Sequence, residues 1–136
     1  MDSIQIDTKE VDRIMSQLGT NRDGVVRMMA FEVEGVSKQL APYDTTAMRN
    51  SIYTETSKES GYGQASSEAQ EKRPDVTTIQ HPKPEEGFAN VGPSVNYAEY
   101  VELGTSRQAA QPFLTPAVEQ VAQKYNSGEK WKELTK

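Results

Sequence analysis

Val26, Met29, Val33, Val36 and Leu40 recur at alternating spacings of three and four, the strongest periodic signal in the chain. That spacing predicts an amphipathic helix from about Asn21 to Leu40 with those five side chains on its buried face. Thr20 or Asn21 can cap its start, Lys38 suits the negative end of the helix dipole, and Pro42 forbids continuation beyond Ala41. At 1.5 Å per residue such a helix is about 30 Å long, enough to span a small domain and act as its spine. Its polar face mixes Arg27, Glu32, Glu34 and Lys38 without a basic excess, which favours packing on a core over lying on a membrane surface or forming a coiled coil.

Ahead of the spine, Ile4 and Ile6 alternate with polar residues and read as a short strand or extended arm. Asp7-Thr8-Lys9-Glu10 then has the residues of a capping box, with Ile6 placed to staple onto Val11. A short helix is predicted from there to about Leu18, burying Val11, Ile14, Met15 and Leu18 and stopped by Gly19.

After the spine, Ser51 to Thr56 has the aromatic, β-branched, alternating character of a strand, and further strands are predicted at Val76 to Ile79 and Gly87 to Val91. From about 57 to 86 the chain is dominated by Ser, Gly, Gln, Glu, Lys and Pro and has almost nothing to bury. The expectation is a mobile loop or a long hairpin arm that orders only in a complex. A short helix is predicted over Tyr97 to Leu103, ended by Gly104. A closing helix is predicted from Thr115-Pro116, with Val118, Val121, Ala122 and Tyr125 as its apolar stripe. Residues 126–136 read as a charged tail in which Trp131 is the one sticky side chain.

At 136 residues the chain fits a single domain, with its core expected over about residues 5 to 125. The hydrophobic fraction of 35% and the mean hydropathy of -0.75 predict a lean core, with part of the apolar surface closed only on assembly. There are no cysteines, which excludes disulfides and thiolate metal sites. No apolar run approaches the roughly 20 residues of a membrane span, and the first residues lack the features of a signal peptide, so synthesis and folding in the cytoplasm are expected. A net charge of -5 argues against adhesion to nucleic-acid phosphates, yet suits a surface past which DNA slides without sticking.

Catalytic patterns find little support. His81, the only histidine, sits beside a proline with no second histidine or carboxylate at ligand spacing, so it reads as an exposed loop residue. Ser57, His81 and Asp75 could form a triad only formally, since no nucleophile elbow accompanies them. Glu99 and Glu102 could act as paired carboxylates, although acidic pairs at this spacing usually form a solvated face. Neither a phosphate-cradling loop nor a dinucleotide fingerprint is present. No cofactor, metal ion or catalytic residue is expected.

Two segments carry more pattern than the rest. In the first, Ala41 to Ile52, Pro42 ends the spine and Asp44 or Thr45 can bond local amides to open a new turn that Met48 and Ile52 anchor. The second comprises Val91-Gly92-Pro93, then Tyr97 to Arg107, then Gln111 to Ala117. Its tyrosines, arginine and Pro-Phe-Leu wedge are residue types enriched at protein interfaces. A loop pinned to its own core would use the same residues.

In order and spacing these segments resemble the minor tail components of long-tailed bacteriophages, also described as neck, tail-completion or head-to-tail joining proteins. Members carry a long helix, a motif like Ala-Pro-x-Asp-Thr-Gly-x-Leu-Arg-x-Ser-Ile, a sheet, then Val-Gly-Pro, Tyr-Ala-x-x-Val-Glu-x-Gly-Thr and Pro-Phe-Leu-x-Pro-Ala before a closing helix. The matches here are Pro42, Asp44, Thr45, Arg49, Ser51 and Ile52, then Val91 to Pro93, Tyr97, Ala98, Val101, Glu102, Gly104, Thr105, Pro112, Phe113, Leu114, Pro116 and Ala117. Thr46 stands where the family has glycine, Met48 where it has leucine, and Thr115 in place of a common basic residue.

The resemblance implies an α+β fold in which the long helix packs on a small antiparallel sheet, flanked by a short N-terminal helix and a C-terminal helix. It further implies a virion structural protein at the head-to-tail junction or the head-proximal tail end. Copies would form a ring, commonly of six, around the channel through which DNA passes without specific binding. The implied partners are other copies, connector or stopper proteins, and a tail terminator or tail tube, with no membrane. Tyr97, Tyr100, Glu102, Gly104, Thr105, Arg107, Pro112 and Phe113 would then serve subunit contacts, and residues 57–86 would project toward the lumen or an adjoining ring. Two other roles compete: a tail-terminator or assembly adaptor that does not stay in the particle, and a small hydrolase using Glu99, Glu102 or His81.

Overall fold

The computed structural model of the chain describes residues 22–42 and 46–127. It has an α+β fold with the element order α1 (Arg22–Leu40), α2 (Thr46–Asn50), β1 (Ile52–Thr56), α3 (Tyr62–Lys72), β2 (Ala89–Pro93), α4 (Ala98–Leu103) and α5 (Leu114–Ser127). The N-terminal arm, the capping box and the helix expected to end at Leu18 lie outside the described residues, as do Asp44, Thr45 and most of the charged tail.

β1 and β2 form a two-stranded antiparallel sheet in which Tyr53 faces Gly92 and Glu55 faces Asn90. The first four residues of β1 are all buried, so both faces of this strand are covered. On one face lies α1, whose Ala30 carbonyl accepts from the Thr54 hydroxyl at 3.5 Å. On the other, Tyr62 of α3 meets Tyr53 edge to face, with ring centroids 5.4 Å apart. The backbone N–H of His81 donates to the Tyr53 hydroxyl at 3.3 Å on the same side. Burial pushes the Tyr53 phenol above its ordinary pKa, an effect that this hydrogen bond opposes without reversing. α5 closes the core beside α1, with Ala117, Val121 and Tyr125 buried and the Tyr125 hydroxyl donating to Glu32 at 3.3 Å.

The spine helix forms where its periodicity predicts, but its buried face is rotated. Val25, Ala30, Val33, Ser37 and Ala41 are buried, Val26, Met29 and Val36 are half-buried, and Leu40 is 39% exposed. Ala30, Ser37 and Ala41 contribute little hydropathy, yet small side chains let a helix approach a sheet closely. Ser37 avoids an unpaired hydroxyl in the core by donating to the Glu34 carbonyl at 3.0 Å.

The stretch from 57 to 86 is not a featureless loop. It holds α3, whose Ala65 and Ala69, four apart, are buried, and it buries Val76 as well. Ala, Gln, Glu and Lys give this segment a high helix propensity, and two alanines with one tyrosine suffice to dock it against α2 and β1. The segment folds back over the sheet rather than projecting as a hairpin. Val76 to Ile79 forms no strand but one bridge, Thr78 to Val95, while the strand expected over Gly87 to Val91 runs two residues later. Gly87 is in the left-handed region at φ 87° and donates its N–H to Asp23, ending a turn that places Ala89 at the head of β2.

Glu55 is only 2% exposed, and while one carboxylate oxygen accepts from Gln80 at 2.8 Å, Oε1 has no partner. Burying a charge with half its acceptors unused is unfavourable.

Candidate functional site

The described residues of the first patterned segment lie between the spine and the sheet. Pro42 is half-buried after Ala41, whose N–H still bonds the Ser37 carbonyl at 2.9 Å. In α2, Ala47 and Met48 are buried and Arg49 is half-buried. Ser51 ends the helix by donating its hydroxyl to the Met48 carbonyl at 2.6 Å. Its own carbonyl accepts from the N–H and from the hydroxyl of Ser94, each at 3.0 Å. Ser51 and Ser94 are both fully buried, so this pair staples the first segment to the second.

In the second segment α4 presents two faces. Ala98 and Val101 are buried, whereas Tyr100 and Leu103 stand 59% and 67% exposed. Tyr97, just before the helix, is half-buried with the Arg73 guanidinium 5.2 Å above its ring, and Arg73 also pairs with Asp75 at 3.1 Å. Gly104 ends α4 at φ 79° and ψ 173°, with its N–H bonded to the Tyr100 carbonyl at 2.9 Å. The chain then turns tightly. The Thr105 hydroxyl accepts from Arg107 and Gln108 at 3.2 and 3.1 Å, and its N–H donates to the Gln108 carbonyl at 2.8 Å. Gln111 N–H returns to the Val101 carbonyl at 2.8 Å, closing a loop that carries Arg107 and Pro112 exposed.

Glu102 locks that loop to α5. Its Oε2 accepts from the N–H groups of Phe113 and Leu114 at 2.8 and 3.1 Å, and its Oε1 from Thr115 at 2.8 Å. These are amides at a helix start that have no partner within the helix, and a carboxylate there also meets the positive end of the helix dipole. Partial burial pushes the Glu102 carboxyl up, but hydrogen bonds from the Phe113, Thr115 and Leu114 amides and from the Thr115 side chain together outweigh it, so its pKa lies below the ordinary value.

The expected contact residues thus divide by what they touch. Phe113 is 1% exposed and belongs to the chain's own core, not to a subunit contact. Glu102, Gly104 and Thr105 hold the loop in shape. Tyr100, Arg107 and Pro112 remain on the outside, and Leu103 joins them, a residue whose exposure only the turn of α4 reveals. Beside this rim runs a groove of about 610 Å³ along β2, lined among others by Tyr53, Ile79, Gly92, Leu103 and Leu114.

Of the residues considered for catalysis, Glu99, Glu102 and His81 all line the groove along β2, whereas Ser57 and Asp75 lie apart from it. Both oxygens of Glu102 are engaged by backbone amides. His81 lines the groove, Ser57 lines a separate notch beside the start of α1, and Asp75 is paired with Arg73. Among the described residues no group of three His, Asp or Glu side chains could hold a metal ion, and no helix is long and apolar enough to cross a membrane. Comparison with protein-family models, with curated proteins and with solved structures finds no match to this chain.

Proposed function

We propose that this chain is a structural subunit of the phage neck or tail-completion region, assembling with copies of itself as a ring around the DNA channel. The observation that carries the reading is the pinned loop between α4 and α5. Glu102, Gly104 and Thr105 fix its backbone, and it leaves Arg107 exposed, as Tyr100 and Leu103 of α4 are. A pinned loop with an exposed arginine, following a helix with an exposed tyrosine and leucine, suits a protein contact, because little conformational entropy is lost when it binds. The resemblance in motif order supports placing that contact between ring subunits or against an adjoining neck or tail protein. The engagement of both Glu102 oxygens in capping weighs for this role over acid-base catalysis by that residue. The net charge of -5 is compatible with a lumen that lets DNA pass without specific binding.

Gold-tagged antibody against the chain, imaged on purified particles, tests the proposal. Label at the head-to-tail junction or the head-proximal tail end is the expected result. No label, with the chain also missing from the particle's mass spectrum, would sink it in favour of an assembly adaptor that leaves before maturation. At residue level, Arg107→Glu combined with Tyr100→Ala is expected to cost about 2 kcal/mol or more of contact free energy without lowering the melting temperature. The readout is the yield of infectious particles in a complementation assay, and a normal yield would remove this loop from the interface.

A further inference from the structure

β2 is hydrogen-bonded along one edge only. Ser94 N–H donates to the Ser51 carbonyl directly opposite, so in the register of the pair the ladder bonds fall on the even-numbered residues of β2. The N–H and C=O groups of Ala89 and Val91 therefore point away from β1. The same alternation turns Thr54 and Thr56 of β1 outward, but there they are used. Gly61 N–H bonds the Thr54 carbonyl at 3.0 Å, and Thr56 N–H bonds the Glu59 carbonyl at 2.8 Å. Past the end of β2, Thr77 to Ile79 covers Ser94 and Asn96 through bonds of 2.6 and 3.0 Å. Among the described residues nothing pairs with the outward groups of Ala89 and Val91. The strand carries no charged side chain and no bulge; Pro93 at its end is its one device against edge pairing, and it leaves the outward groups of Ala89 and Val91 open.

We propose that the free edge of β2 pairs antiparallel with the same edge of a second copy of this chain. The peptide charges are complementary under two-fold symmetry. With Ala89 set opposite Val91 of the second copy, every outward N–H on one edge meets an outward C=O on the other. Pro93, which has no N–H to offer, falls just beyond the pairing. Phe88 is 66% exposed at the head of the strand, and this register brings it opposite Gly92 of the second copy, the position without a side chain of its own that lines the groove. The strand bears no ionised side chain, so the net charge does not oppose close approach there. Subunits adjacent within one cyclic ring are not related by a two-fold axis, so this contact belongs to the free protein or to two rings meeting face to face. It stands whether or not the neck reading does.

The chain has no cysteine, which makes a single substitution a clean probe. In this register Asn90 faces Asn90 of the second copy at a non-hydrogen-bonded pair, where Cα atoms lie about 4.5 Å apart, within disulfide range, and its replacement gives up one bond, from the Asn90 side chain to the Pro82 carbonyl at 2.9 Å. Asn90→Cys is expected to give a covalent dimer under mild oxidation, and Thr77→Cys, exposed but off the edge, is not. In sedimentation equilibrium the unmodified protein should dimerise reversibly. Ala89→Pro removes an outward donor that the β1 ladder does not use, and should weaken dimerisation at least about tenfold with an unchanged circular dichroism spectrum. A protein that stays monomeric as its concentration rises, or an Asn90→Cys variant that links no better than the control, overturns the proposal.

Discussion

Glu102→Ala should lower the stability of the domain by about 2 kcal/mol, the upper range for loss of a helix cap, because three amides lose their acceptor together. The Phe113 and Leu114 side chains beside those amides are buried, so water cannot freely replace the carboxylate. In a chain of this size such a loss is expected to lower the melting temperature by roughly 6–10 °C. The substitution should also loosen the loop from Thr105 to Pro112, whose far end is held at Gln111 by one bond to Val101. Hydrogen exchange at Phe113, Leu114 and Thr115 is the local readout. Slow exchange retained in the variant would show that the cap contributes nothing.

The same carboxylate gives the fold a pH dependence of known sign. Its pKa in the folded chain lies below the ordinary glutamate value, so ionised Glu102 stabilises the native state above the unfolded pKa of about 4.3. That contribution is lost as pH falls through the lower folded value. Glu102→Gln keeps one oxygen for the amides but cannot ionise, and its stability should therefore lie closer to the parent at low pH than at neutral pH. Equal differences at both would remove the charge from the account.

What the chain pattern discloses and what it hides follow from how each contact is made. Local signals read well. The spine, the strand after Ser51, the short helix ended by Gly104 and the closing helix each have a period, a stop residue or a proline near one end, and all appear within a few residues of where those signals lie. The rotation of α1 is invisible because Ala30, Ser37 and Ala41 are chosen by closeness to the sheet, which hydropathy does not register. α3 is missed for a related reason: Ala65 and Ala69 supply so little apolar area that a helix docked by them looks like polar linker.

At the candidate site the residues were legible but their roles were not. Tyr100 and Phe113 are both aromatics in an interface-like pattern, and only the three-dimensional turn of the chain shows one outside and the other in the core. Glu102 looked like half of an acidic pair with Glu99, three residues away. Its partners are amides eleven to thirteen residues further on, a separation that no helical spacing rule reaches. Ser94 carries no sequence signal at all, since its function depends on Ser51 being placed opposite it by the register of the two strands.

Gly104→Ala is expected to be the most damaging conservative change in the second segment. At φ 79° and ψ 173° the residue occupies a region that is essentially reserved for glycine, costing an alanine about 1–3 kcal/mol. Space is lacking too, because an added Cβ would lie 2.7 Å from the Ala110 nitrogen and 3.1 Å from both the Ala110 Cα and the Gln108 carbonyl oxygen. These are backbone atoms of the loop that Thr105 and Gln111 hold in place, so they cannot move aside without breaking those bonds. The combined loss should reach about 3 kcal/mol or more, and it should fall on the loop first. The variant is expected to expose the segment from Thr105 to Gln111 to limited proteolysis at Arg107 well below its global melting temperature. Ala109→Gly, which adds freedom to the same loop without a clash, separates the two causes. If it reproduces the cleavage pattern, loop flexibility alone explains the result. If only Gly104→Ala does, the glycine is what lets α4 end close enough to the returning chain for Glu102 to reach α5.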